Sequence, residues 1–85
     1  MRREYRILPT HHFQRDFDRL DAQIQRRMLE AIERIRENPL QGLLLRNKKI
    51  GRRKWRVGDY RIRYDISGND VILHFVKHRR EIYRD

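Results

Sequence analysis

Lys54-Trp55-Arg56-Val57-Gly58-Asp59-Tyr60-Arg61-Ile62-Arg63-Tyr64 reads as two strands joined by a tight turn. Gly and Asp tolerate the backbone angles of such a turn, and strand side chains alternate between the two faces on either side of it. On residues 53–57, Trp55 and Val57 point one way while Lys54 and Arg56 point the other. On residues 60–66, Tyr60, Ile62, Tyr64 and Ile66 form the apolar set, opposed by Arg61, Arg63 and Asp65. A second turn, Ser67-Gly68-Asn69-Asp70, leads into residues 71–77. That strand is apolar on both sides up to Val76 except at His74, as a central strand should be.

A sheet with one apolar face needs a cover, and the first half of the chain supplies it. Residues 4–8 read as a first strand, ended by Pro9. Thr10 is an N-cap for a helix with apolar positions Phe13, Phe17 and Leu20. Asp21 caps a second helix carrying Ile24, Met28, Ala31, Ile32 and Ile35 at helical spacing, and Asn38-Pro39 stops it. Residues 39–51 form a connector with Leu43-Leu44-Leu45 as its anchor in the core, and Tyr60 and Tyr64 belong to the core with hydroxyls at its rim. The expected architecture is α+β in the order β-α-α-β-β-β. An N-terminal strand and a two-helix hairpin pack on one face of a mainly antiparallel four-stranded sheet, all within a single domain spanning residues 1–85.

Composition narrows the setting. The 85 residues contain no cysteine, which excludes disulfides and thiolate zinc sites, and no metal or other cofactor is expected. The N-terminus lacks the apolar run of a signal peptide, and no stretch approaches the length of a membrane span, so a soluble cytoplasmic protein is expected. Charge is uneven. Residues 1–45 hold nine Lys or Arg against seven Asp or Glu, a balance of +2, whereas residues 46–85 hold thirteen against five, +8 of the total +10. Strand parity gathers Lys54, Arg56, Arg61 and Arg63 on the face opposite the apolar set. Such a group repels itself unless an anion compensates, which points to a polyanion partner. The competing reading is a merely solvated face, since Arg and Lys stems cover apolar surface well. Neither helix is markedly basic on its polar side, which argues against a helix that reads a double-stranded groove.

The opening run, followed by an apolar strand and by His78-Arg79-Arg80-Glu81-Ile82-Tyr83, resembles the RelE/ParE toxin superfamily. The pattern is a basic strand, then Tyr-Arg-hydrophobic-x-Tyr, then His-Arg-x-x-hydrophobic-Tyr near the C-terminus. With the helical hairpin ahead of it, the resemblance covers nearly the whole chain. It implies a toxin of a toxin–antitoxin pair with a microbial-ribonuclease-like fold. The RelE branch cleaves mRNA in the ribosomal A site, and the ParE branch poisons DNA gyrase without cutting RNA. By position, Lys54 and Arg56 match two basic residues of the RelE strand, with Arg56 where the best-studied members have Lys. Arg61, Arg79 and Tyr83 match further site residues, and His78 stands where some relatives place a histidine. The acidic base of some relatives has no counterpart, because residues 46–58 contain no Asp or Glu.

Metal-independent RNA cleavage uses the substrate's 2′-OH as nucleophile, so the site must take its proton, neutralise a pentavalent phosphate and protonate the departing 5′-oxygen. Arg61 and Arg79 suit the phosphate, because guanidinium forks onto two oxygens. Lys54 is a candidate base, since neighbouring cations favour its neutral amine, and Tyr83 and His78 are candidates for the acid or for stacking on a base. Arg52, Arg53, Arg63, Lys48, Lys49 and Arg80 are the expected wider RNA-binding set. Blander roles compete. Tyr83 would pin the C-terminal segment, His78 would cap a strand end, Trp55 would join the core, and His11 and His12 would lie on the surface. The Lys54/Arg56 pair favours a ribosome-dependent mRNA endonuclease over a gyrase inhibitor. A degenerate relative that only binds RNA or antitoxin is the third reading. The implied partners are an acidic, partly disordered antitoxin together with ribosome and mRNA, or alternatively gyrase, and no membrane.

Overall fold

In the computed structural model, residues 4–82 are described. The chain runs β1 (Arg6–Pro9), α1 (His11–Asp18), α2 (Ala22–Glu37), a 3-10 turn (Pro39–Gln41), β2 (Leu43–Leu44), β3 (Arg53–Val57), β4 (Tyr60–Ser67), β5 (Asp70–His78) and α3 (Arg79–Ile82). The helix boundaries follow from their caps. The Thr10 hydroxyl accepts the Phe13 N–H at 3.1 Å and the Asp21 carboxylate accepts the Ile24 N–H at 3.0 Å, each satisfying a donor that the first helical turn cannot.

The strands lie in the order β1-β5-β4-β3-β2. β1 runs parallel to β5 and the other pairings are antiparallel. The apolar stripes of α1 and α2 close on one face through Phe13, Met28, Ala31 and Ile35, against Ile62, Tyr64, Val71, Leu73 and Val76 from the sheet. Trp55 and Tyr60 pack at the margin of this core. The α+β layer expected from the sequence is the one observed.

Three features differ from expectation, each for a local reason. First, the sheet has five strands, because Leu43 and Leu44 of the connector pair with Lys54 and Arg53. Second, Leu43 and Leu44 do not anchor the connector, since both are exposed, and of the three leucines only Leu45 is half-buried. Pro39 is buried instead, and its carbonyl accepts the Tyr64 hydroxyl at 2.7 Å, while the Arg53 guanidinium donates to the carbonyls of Leu40 and Gly42. The Tyr64 hydroxyl therefore lies inside the protein and not at the rim. Burial pushes its pKa up to about 12, against the opposing pull of Arg53 and of the backbone at Gly42. Third, the β4–β5 register slips by one residue. Arg63 faces Phe75 but Tyr64 faces Leu73, which leaves His74 as the extra residue of a β-bulge. The bulge moves the inward parity of β5 from Val71 and Leu73 to Val76, and both His74 and Phe75 lie on the outer face.

Candidate nucleic-acid interface

Cross-strand register arranges the outer face of the sheet in rows. Arg56 stands opposite Arg61, which stands opposite Lys77, and one step along the strands Lys54 stands opposite Arg63 and then Phe75. Directly opposed side chains start about 4.5–5.5 Å apart at Cβ, so each row is a contiguous strip. Lys77 and Phe75 were not singled out from the sequence. Strict alternation from Leu73 assigns them to the core face, and only the bulge turns them outward.

The rows are not four equivalent solvated cations. Arg56 is exposed and Lys54 half-buried, but Arg61 is only 8% exposed and Arg63 only 3%. The Arg61 Nη1 donates to the carbonyls of Gly58 and Tyr60 at 2.9 and 2.8 Å, which folds its stem back toward the β3–β4 turn. The Arg63 Nε donates to the Gly51 carbonyl, and its guanidinium lies 5.3 Å from the centre of the Phe75 ring. The expected open position of Arg63 is thus corrected, because the end of the connector lies over it. Gly51 has φ of 63°, and a Cβ there would stand 2.9 Å from the Arg63 Cβ. A side chain is excluded both by the backbone angle and by the close approach. Arg53 is likewise engaged with the Leu40 and Gly42 carbonyls on the helix side of the sheet, not on the cation face.

Asp65 fixes the connector from below. Its carboxylate accepts the N–H groups of Gly51 and Arg52 at 2.8 and 2.9 Å and meets the His74 Nε2 at 2.8 Å. Burial alone would raise its pKa, but the Arg52 and Gly51 donors together with His74 hold it below the ordinary carboxylate value. The Arg52 side chain is exposed beside this clamp, as is Lys49 on the connector, where Lys48 is half-buried.

The C-terminal residues separate. The Arg79 N–H donates to the Asp59 carbonyl at 2.7 Å, and its Nε lies 3.8 Å from the Asp59 carboxylate, so the β3–β4 turn holds both Arg61 and Arg79. His78 is paired with Tyr60, its ring edge-on to the tyrosine at 5.3 Å, on the helix side of the sheet. It is therefore not grouped with Lys54 and Arg56, and its Nδ1 accepts the Arg80 N–H. Arg80 itself is exposed on α3. Tyr83 lies outside the described residues. Among the described residues no group of three or more His, Asp or Glu is arranged to hold a metal, and no helix is long and apolar enough to cross a membrane.

A rigid sheet bearing a strip of Arg56, Arg61 and Lys77, flanked by Lys54 and Arg79, can hold a phosphodiester through charge-assisted hydrogen bonds. Residues 7–83 match the family model described as the ParE toxin of the type II toxin–antitoxin system, parDE. No curated protein sequence matches the chain significantly. Among solved structures, the chain is similar to one in the toxin–antitoxin complex RelBE2 from Mycobacterium tuberculosis, at 30% identity and a TM-score of 0.80, over 89% of this chain and 92% of that one. It is similar to a chain of the RelB-RelE antitoxin–toxin complex from Methanococcus jannaschii at 26% identity and a TM-score of 0.72, over 89% and 94% of the two chains. The RelE-RelB complex from Pyrococcus horikoshii OT3 shares the fold at 20% identity and a TM-score of 0.73, over 88% and 94%.

Proposed function

The chain belongs to the ParE toxin family of type II toxin–antitoxin systems, within the RelE/ParE superfamily, and from that premise we propose that it is a RelE-type toxin, an endoribonuclease that cuts mRNA on the ribosome in the cytoplasm. The observation that carries this reading is the row Arg56–Arg61–Lys77 with Lys54 beside it. Charge that spreads over the equatorial oxygens of a pentavalent phosphate is best met by donors already fixed in place. Here the fixing is visible, since Arg61 and Arg79 are both tethered to the β3–β4 turn. Relatedness to the RelBE2 structure supports the same branch.

In this reading the substrate phosphate lies across the row. Arg61 and Arg79 meet its oxygens from the turn, Arg56 and Lys77 from either side, and Lys54 stands one step along. A cognate antitoxin completes the system. An acidic segment would offset the basic half of the toxin, and its apolar side chains would find Leu40, Leu43 and Leu44 exposed along the β2 edge.

The test is to map mRNA 5′ ends by primer extension after brief induction in cells. Cuts within translated codons are expected with the wild type, with a loss of about 100-fold or more for Lys54→Ala combined with Arg56→Ala. Both residues are at least partly exposed, so the pair separates chemistry from folding better than a change at buried Arg61. Absence of cuts during full growth arrest would sink the reading. The matched family model is that of ParE, which favours a second reading, binding and inhibition of DNA gyrase without nuclease activity. Loss of supercoiling by purified gyrase, with translation untouched, would establish it.

A further inference from the structure

The two rows of the outer face supply cations and an aromatic ring, and the groups in them that can take a proton are the amines of Lys54 and Lys77. Helix α1 brings another to the same edge. β1 pairs with β5 only along residues 70–73, so beyond Leu73 the outer edge of β5 has lost its strand partner. α1 takes over that edge. The Thr10 hydroxyl donates to the His74 carbonyl at 2.8 Å, and the Asp16 carboxylate accepts the Val76 N–H at 3.2 Å. Asp16 is buried in doing so, at 9% exposure, with its other oxygen 3.6 Å from the Lys77 Nζ.

His12 lies one helical turn before Asp16, on the same side. Its Nε2 is 3.5 Å from the carboxylate oxygen that receives Val76, and its ring centre is 5.7 Å from that of Phe75. The His12 side chain is 51% exposed. Lys77 ends one row and Phe75 ends the other, so the imidazole and its carboxylate stand where both rows meet the β5 edge. Asp16 on its own helix and the Phe75 ring on β5 lie against the imidazole, and the Lys77 ammonium meets the other oxygen of the same carboxylate. The two histidines on the sheet are engaged elsewhere, His74 with the Asp65 clamp and His78 against Tyr60.

We propose that His12 is the proton acceptor of the cleavage reaction and that Asp16 is its positioning residue, an assignment that rests on the ribonuclease reading above. With the Nε2–H turned to the carboxylate, the neutral ring carries its lone pair on Nδ1. Nδ1 takes the proton of the substrate 2′-OH, and the 2′-oxygen attacks phosphorus. The bond from phosphorus to the 5′-oxygen breaks, leaving a 2′,3′-cyclic phosphate. The 5′-oxygen takes a proton from water, and the resulting hydroxide is neutralised by the imidazolium. Arg56, Arg61 and Lys77 hold the phosphate throughout.

The experiment follows single-turnover cleavage of a defined mRNA on programmed ribosomes across a range of pH, for the wild type, His12→Ala and Asp16→Asn. An exposed histidine can be removed without unfolding the chain, which a thermal melt verifies. His12→Ala is expected to slow cleavage by about 10²–10⁴-fold and to lose the acidic limb of the pH–rate profile. Added imidazole is expected to restore part of the rate. Asp16→Asn is expected to displace that limb, because its amide oxygen can still receive the Val76 N–H while its charge is gone. Cleavage by His12→Ala at the wild-type rate would overturn the assignment and leave the ribonuclease function standing. So would a slow variant with an unchanged pH profile and no response to imidazole. A folded wild-type protein that cuts no ribosome-bound mRNA would overturn the ribonuclease reading itself.

Discussion

At the scale of single residues, the same side-chain type does opposite work within a few positions. Arg56 faces solvent, whereas Arg53 and Arg63 spend donors on backbone carbonyls of the connector. On β3 and β4 alternation correctly told which residues share a face. It could not tell which guanidiniums are used internally, because their partners, Leu40, Gly42 and Gly51, are set by where the connector crosses the sheet. Tyr64 makes the same point. Its place in the core is readable from the pattern, but its bond to the Pro39 carbonyl is not. Tyr64→Phe leaves that carbonyl without its buried donor and should cost about 1–3 kcal/mol in urea unfolding. The pH dependence has a definite sign. The folded-state pKa, about 12, exceeds the ordinary value near 10, so the neutral hydroxyl contributes fully below pH 10. That contribution is lost as pH rises from 10 through 12. Urea midpoints measured through this range should fall more steeply for the wild type than for Tyr64→Phe.

At the scale of elements, α1 and α2 were readable, while the short α3 and the sheet's irregularities were not. Thr10 and Asp21 each precede an apolar helical stripe, and the hydrogen bond of a cap is local, so the sequence carries it. A two-residue strand has no period to detect, and β2 exists only because β3 offers an edge. The bulge at His74 is likewise invisible to alternation, yet it moves Phe75 and Lys77 onto the cation face. The caps are also unequal. Asp21 makes its one capping bond on an exposed helix start, while Thr10 caps α1 and also donates to the His74 carbonyl at the bulge. Asp21→Ala should therefore cost about 1 kcal/mol, in the ordinary range for a lost N-cap. Thr10→Ala should cost about 1–3 kcal/mol, because a carbonyl of β5 loses its donor as well. Urea titration of both variants gives the comparison, and equal losses would mean that the α1–β5 stitch contributes little.

At the scale of the whole molecule, a net charge of +10 concentrated in the second half promises attraction to any polyanion, so affinity alone says little about a site. The salt dependence of binding is more informative. Each phosphate neutralised on a single strand releases counterions and adds about −0.7 to the slope of log K against log salt. Some arginines and lysines present their head groups on the outer face, Arg56 and Lys54 among them, while Arg53 and Arg63 are bonded into the fold. Arg56→Ala and Lys77→Ala should each weaken binding of a short single-stranded RNA and flatten the slope by about 0.7. Arg56→Ala should leave stability nearly unchanged, whereas Lys77→Ala also removes a partner of the buried Asp16 carboxylate. Arg53→Ala should do the reverse. It removes the donor to the Leu40 and Gly42 carbonyls, lowering the unfolding midpoint while leaving the slope as it was. Fluorescence anisotropy over a series of salt concentrations, with a thermal melt of each variant, separates the two classes. If Arg53→Ala flattened the slope as much as Arg56→Ala, binding would be a diffuse property of the charge, and the row across β3, β4 and β5 would lose its claim to be the site.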